Sequence, residues 1–78
     1  MTKDINDIEV VEYYIQLFEK YQNFLTQTQK QAFQLYFHEN LSYQEIANIT
    51  ATTRSAAYDS VKKALTNLEK IAKKFEKI

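Results

Sequence analysis

Apolar side chains recur along this chain every three or four positions, with polar and charged residues between them. This spacing is typical of α-helices that bury one face. It predicts helices over residues of about 8–23, 27–38, 43–49 and 54–77. Gly and Pro are absent, which favours helices joined by short links over a turn-rich β fold. We therefore predict an all-α fold, a small four-helix bundle that forms a single domain over residues 1–78.

Capping residues stand where the first three helices should begin. In a capping box, a polar side chain and a Glu or Gln three residues later satisfy each other's free backbone N–H groups. The spacing occurs at Asn6 and Glu9, at Thr26 and Gln29, and at Ser42 and Glu45. Asn40 can take the left-handed conformation that ends a helix.

The apolar positions predict which helical faces are buried. The first helix has a stripe of Ile8, Val11, Ile15 and Phe18, and the third has an inward face of Ile46, Ala47 and Ile49.

The last helix raises a packing question, because about 25 residues make ~37 Å of helix. That is longer than a three-helix core covers. Its last turns need either the first helix folded back or a second copy of the chain, unless they fray. The 4–3 spacing of its apolar positions suits a partner helix. It predicts a homodimer seam of Leu65, Leu68, Ala72 and Phe75.

Residues 42–65 have the spacing of a helix-turn-helix. Ala47 is the small residue where the two helices cross, and Ala51 stands where a glycine usually supplies a positive φ. We predict that Ala51 is left-handed, at a cost of about 1 kcal/mol. The predicted core of this unit is Ile46, Ala47, Ala51, Ala57 and Val61.

The second helix of this unit would present a polar face that suits nucleic acid. Arg54, the only arginine, can donate to guanine O6 and N7 together. Tyr58 could stack on a base or reach a phosphate, and Lys62 and Lys63 suit phosphates. The ordinary alternatives are a surface salt bridge, packing on the helix surface and solvated charges. The candidate nucleic-acid-binding residues are Arg54, Ser55, Tyr58, Lys62 and Lys63.

The charges divide the chain into an acidic and a basic part. Residues 1–53 hold 3 Lys and 7 acids, a net of −4, and residues 54–78 hold 7 basic residues and 3 acids, a net of +4. Asp59 lies within the basic face and would repel phosphate, unless it pairs with Lys62 or Lys63. Few phosphate contacts then remain, so binding should be weak, salt-sensitive and helped by dimerisation.

The residue types that metal binding and phosphate-loop chemistry require are scarce or absent in this chain. Cys is absent and His38 is the only histidine, which argues against a soft or nitrogen-rich metal site. A glycine-rich phosphate loop is impossible without glycine. No enzyme activity and no cofactor are expected.

No apolar run reaches the ~20 residues of a membrane span, and the polar N-terminus is unlike a signal peptide. We expect a cytoplasmic protein.

The chain resembles the YlxM family of small bacterial helix-turn-helix proteins over residues of about 13–69. The matching pattern contains "LT..Q", "LYF" before "LS", "EIA", "R.A.YD" and a basic pair, at Leu25, Leu35, Glu45, Arg54 and Lys62 onward. The "LS..EIA" part also occurs in region 4 of sigma factors, whereas "R.A.YD" is more discriminating. The Thr50-Ala51-Thr52 corner departs from the usual apolar, Gly or Asn, apolar pattern.

The resemblance implies a fold akin to sigma region 4 and a role in, or regulation of, the signal recognition particle pathway. Three functions remain open at this point. The first is a regulator that binds double-stranded DNA. The second is an adaptor that binds signal recognition particle RNA or protein, and the third is a module that pairs through its last helix.

Overall fold

The computed structural model describes residues 8–76, which form α-helices joined by short links. The helices are α1 (Ile8–Tyr21), α2 (Gln27–Phe33), α3 (Tyr43–Thr50) and α4 (Arg54–Phe75). A 3₁₀ turn, Gln22–Phe24, follows α1, and a π-helical turn, Gln34–His38, continues α2. The prediction of an all-α bundle of four helices is confirmed.

The predicted capping boxes form at α2 and α3. Thr26 Oγ1 accepts from the Gln29 backbone N–H at 3.1 Å, and the Gln29 side chain accepts from the Thr26 N–H at 3.3 Å. Ser42 and Glu45 make the same pair of bonds at 3.2 Å and 2.8 Å. Asn40 is left-handed with φ 59°. The predicted Asn6 cap lies outside the described residues, as do residues 77 and 78.

One face of α4 forms the wall against which the other three helices pack. Its buried residues are Ala57, Val61, Ala64, Leu68 and Ala72. The N-terminal part of this face joins a cluster with α3 and the π-helical turn. The C-terminal part joins a second cluster with α1 and α2, in which the rings of Phe18 and Phe33 stack at 4.4 Å. Leu65 and Phe37 contact both clusters.

This packing corrects the prediction that the apolar seam of α4 is open to a second copy of the chain. Leu68 and Ala72 are buried against α1 and α2, and Leu65 is half-buried in the same core. The first helix has folded back along α4, so these side chains are not open to a second copy. Phe75 is exposed and contacts the rings of Tyr21 and Phe24.

Two further predictions about buried faces are wrong. Ile49 is 57% exposed, because the inward face of α3 is Tyr43, Ile46, Ala47 and Thr50. Those positions follow the i, i+3, i+4, i+7 spacing of one helical face, and position 49 falls outside it. Ile8 is also exposed, since α1 packs through its later turns, at Leu17 and Phe18.

Polar side chains join α1 to α4 beside the apolar packing. The Tyr14 hydroxyl donates to Glu69 of α4. Where the two helices end, Tyr21, the last residue of α1, donates to Glu76, directly after α4, at 2.7 Å, and Lys20 pairs with the same carboxylate at 3.1 Å. The hydrogen bond from Tyr21, with help from Lys20, lowers the pKa of Glu76.

We expect the chain to lose stability in alkali because of Tyr14. Burial, and then the hydrogen bond to Glu69, raises the pKa of Tyr14 from 10.0 to about 12. Between these values the folded chain keeps a proton that the unfolded chain releases, so this stabilisation is present below pH 10 and is lost as the pH rises towards 12. Urea unfolding at several alkaline pH values should show a smaller loss for Tyr14→Phe than for the parent chain. An equal loss in both proteins would contradict this origin.

Candidate nucleic-acid interface

The corner between α3 and α4 is a helix-ending turn made without glycine. Ala51 has φ 57° and ψ 43°, the left-handed conformation. The N–H groups of Ala51 and Thr52 both bond to the Ala47 carbonyl, the latter at 2.9 Å, which closes the end of α3. Thr50 Oγ1 donates to the Ile46 carbonyl at 2.8 Å and contacts Thr52 Oγ1 at 2.9 Å. Hydroxyl hydrogen bonds therefore replace the apolar contacts that usually flank such a turn.

Small residues set the crossing of α3 and α4. Ala47 and Ala57 are buried where the helices meet, and Ile46 and Val61 fill the space beside them. Ala51, which the sequence assigned to the same core, is exposed. Its contribution is the backbone conformation that turns the chain, and not packing.

The first turn of α4 is fixed by its cap. Thr53 Oγ1 accepts from the Ala56 backbone N–H at 3.0 Å. This bond satisfies one of the free donors at the helix start and orients the first turn. Arg54 and Ser55 follow directly and are exposed.

Tyr58 and Lys62 continue the exposed face one and two turns further along α4. Tyr58 is 46% exposed, and its ring meets that of Tyr43 edge to face at 5.2 Å. The ammonium nitrogen of Lys62 lies 5.9 Å from the centre of the Tyr58 ring. Cation–π attraction at this distance is worth about 0.5–1 kcal/mol on an exposed surface. Four of the five candidate residues therefore follow one another on the surface, at positions 54, 55, 58 and 62.

Lys63, the fifth candidate, is engaged by a carboxylate. Its ammonium nitrogen lies 3.1 Å from a carboxylate oxygen of Asp59, four residues earlier, and both side chains are exposed. The predicted pairing of Asp59 thus occurs with Lys63 and leaves Lys62 beside Tyr58. Exposed pairs of this kind contribute about 0–1 kcal/mol, so the lysine is weakly held. Within the described residues, Arg54 and Lys62 form no ion pair.

Tyr43 is a surface residue of this region that the sequence analysis missed. Its ring stacks on Tyr36 at 4.9 Å, and its hydroxyl donates to the Tyr36 hydroxyl at 3.3 Å. Burial raises the pKa of Tyr36. Tyr43 also shares a shallow depression with Arg54, Ser55 and Tyr58. Its place directly after the Ser42 cap, three residues before buried Ile46, is the signal that could have revealed it.

The described residues offer neither a metal site nor a membrane span. Among residues 8–76, no three His, Cys, Asp or Glu side chains are grouped so that they could hold a metal ion. No helix in the same range is long and apolar enough to cross a bilayer.

Residues 8–78 match a protein family described as "Putative helix-turn-helix protein, YlxM / p13 like". The chain belongs to this family. The match includes α3, the left-handed turn and α4, and it confirms the resemblance carried by the "EIA" and "R.A.YD" patterns. No solved structure matches the chain.

Curated relatives are named UPF0122 proteins, and UPF0122 is the short name of this family. The chain is 42% identical over 59 residues to a UPF0122 protein of Mycoplasma capricolum, which covers 76% of the chain and 52% of that relative. It is 42% identical over 57 residues to one from Clostridium novyi, covering 69% of the chain and 50% of the relative. It is 40% identical over 58 residues to one from Bacillus cereus, and this match covers 74% of the chain and 53% of the relative. The chain thus spans about half the length of these relatives.

Replacing Ala51 with glycine should leave the chain as stable as before or stabilise it by up to about 1 kcal/mol. Glycine relieves the left-handed strain of a residue with a Cβ, against its larger loss of backbone freedom on folding. Urea unfolding would measure the change. The matched control is Ala56→Gly, at an exposed right-handed position of α4, which should destabilise by about 0.5–1 kcal/mol. Similar losses in both variants would show that Ala51 is not strained.

Proposed function

We propose that this chain is a DNA-binding regulatory protein whose α4 enters the major groove of duplex DNA. The observation that carries the proposal is the exposed row of Arg54, Ser55, Tyr58 and Lys62 directly after the turn. In helix-turn-helix proteins the N-terminal residues of the second helix contact base edges. Following the family resemblance, we place this regulator in the signal recognition particle pathway.

Arg54 is the residue proposed to read sequence. It is the first residue of α4, and the Thr53 cap fixes the turn that carries it. Its planar guanidinium can donate to guanine O6 and N7 together, a contact worth about 1–3 kcal/mol of discrimination. Ser55 and Tyr58 flank it with hydroxyl groups that can reach phosphates, and Lys62 supplies a second positive charge.

The charges of this face predict modest affinity. Two cations without an ion pair, Arg54 and Lys62, stand beside a lysine that Asp59 neutralises. With about two or three phosphates neutralised, log K should fall with a slope of about −2 to −3 against log salt. Binding by one copy of the chain should then weaken markedly between low and moderate salt.

Arg54→Ala should abolish the preference for a selected duplex over a scrambled one. Duplexes enriched from a random pool would be titrated by fluorescence anisotropy at ~50 and ~200 mM salt. The control is Lys70→Ala, an exposed lysine that lies ~24 Å from Arg54 along α4. Lys70→Ala should leave the preference unchanged. An enriched duplex bound equally well by Arg54→Ala would contradict the proposed role of Arg54.

Asp59→Asn should strengthen duplex binding and make it more sensitive to salt. The change removes a carboxylate from the face and releases Lys63, the partner that it holds at 3.1 Å. The salt slope should steepen by about one, because one more lysine can neutralise a phosphate. Anisotropy titrations at several salt concentrations would measure it. An unchanged slope would mean that DNA does not approach this part of α4.

The carboxylate of Asp59 supports a second candidate function, an adaptor of the signal recognition particle pathway. The Asp59–Lys63 pair lowers the positive charge of the face, which favours a protein partner over a nucleic acid. A helix cannot read the narrow major groove of double-stranded RNA, so binding to RNA would use shape or loops. Selection that yields no enriched duplex, together with binding to signal recognition particle RNA or protein, would favour the adaptor.

A further inference from the structure

A cavity of about 220 Å³ lies where α1, the π-helical turn, α3 and α4 meet. Its base is apolar and includes Phe37, Val61 and Leu65. Its sides are the rings of Tyr14 from α1, Tyr43 from α3 and Tyr58 from α4. The cavity is therefore built from helices that position the proposed interface, and it shares Tyr58 and Lys62 with that interface.

The walls of the cavity suit a flat apolar group. Tyr43 and Tyr58 stand at an interplanar angle of 83°, so they present both a ring face and a ring edge. Aromatic groups pack favourably in such offset or edge-to-face arrangements. The Tyr14 hydroxyl is bonded to Glu69 and that of Tyr43 to Tyr36. Both tyrosines thus have hydrogen-bond partners already, which leaves their rings to provide apolar contact.

One charged side chain determines which sign of charge the ligand should carry. Lys62 is the only charged residue among the described residues that line the cavity. Its ammonium is held only by the weak attraction of the Tyr58 ring, 5.9 Å away. A carboxylate at the rim would gain a charge-assisted hydrogen bond from it, whereas a cationic ligand would be repelled. A multiply charged anion would meet a single cation and an apolar wall that cannot solvate it.

We propose that this cavity binds a small aromatic carboxylate, with the ring between Tyr14, Tyr43 and Tyr58 and the carboxylate on Lys62. The size agrees with this ligand class. An apolar cavity of about 150 Å³ is known to hold benzene, so 220 Å³ accommodates one substituted ring. Binding holds Tyr58 and Lys62 and takes them out of the exposed row of α4. Ligand binding therefore lowers affinity for DNA, a consequence that rests on the proposed function.

The test uses two probes of nearly equal shape, phenylacetate and its uncharged analogue 2-phenylethanol. Each is titrated into the isotopically labelled chain, without nucleic acid, and amide chemical shifts are followed. Phenylacetate should bind about three to five times more tightly, because an ion pair with an exposed lysine adds to the same ring contacts. The largest shifts should fall at Tyr14, Tyr43, Tyr58 and Leu65.

Substitutions then assign the two parts of the site. Lys62→Met should reduce the difference between the probes to less than about twofold, whereas Lys70→Met, at an exposed lysine outside the cavity, should preserve it. Val11→Trp should fill the cavity from α1 and weaken both probes at least about tenfold. Ile49→Trp, on the exposed side of α3, is its control. Melting curves verify folding, and Lys62→Met alters an exposed side chain, so it tests the site even if Val11→Trp unfolds.

The outcomes for the site and for the proposed function remain distinguishable. Equal affinity for the two probes, or shifts that avoid the cavity, would overturn the ligand site whatever the chain does with DNA. Excess phenylacetate should also weaken duplex binding by the parent chain. If phenylacetate binds in the cavity but leaves duplex binding unchanged, the ligand site stands and the proposed use of Tyr58 and Lys62 on DNA fails.

Discussion

The close approach of three helices to one face of α4 is the constraint on which the structure depends. Ala57, Ala64 and Ala72 on that face are buried, with Val61 and Leu68 between them. Small side chains let the neighbouring backbones come near, and the larger ones fill the gaps at interior density. Because the same helix serves the cluster with α3 and the cluster with α1, the proposed recognition face is held by the whole chain. No separate scaffold is required to orient Arg54.

Much of this arrangement follows from the sequence because the relevant interactions are local. The capping boxes at Thr26 and Ser42 depend on a partner three residues away, and both are visible in the spacing. The left-handed turn at Ala51 could be predicted from its distance to buried Ala47, although its side chain is the wrong one for such a turn. Residues 54, 55, 58 and 62 could be predicted to share a face for the same reason, since helical periodicity alone sets it.

The remainder depends on contacts between distant residues, which periodicity does not encode. Leu68 and Ala72 carry a 4–3 pattern that suits a second copy as well as α1, and only the fold shows that α1 covers them. Ile49 is apolar, yet it is exposed, because α4 packs against the face of α3 that holds Ile46 and Ala47. Tyr43 and the cavity beside it arise from rings on three helices, so no single segment of the sequence contains their signal.

The π-helical turn at Gln34–His38 has a consequence for how the family can vary in length. Its Glu39 N–H reaches back five residues to the Gln34 carbonyl, at 3.0 Å. Such a turn holds one residue more than an α-helical turn of the same span. A relative that lacks one residue here could close the turn as ordinary α-helix and still deliver its chain to Ser42. A deletion of one residue inside α4 could not be absorbed in this way. It would rotate every later position of the helix by about 100° and turn Leu68 and Ala72 away from α1. Length changes in this family should therefore accumulate before α3 and be rare within α4.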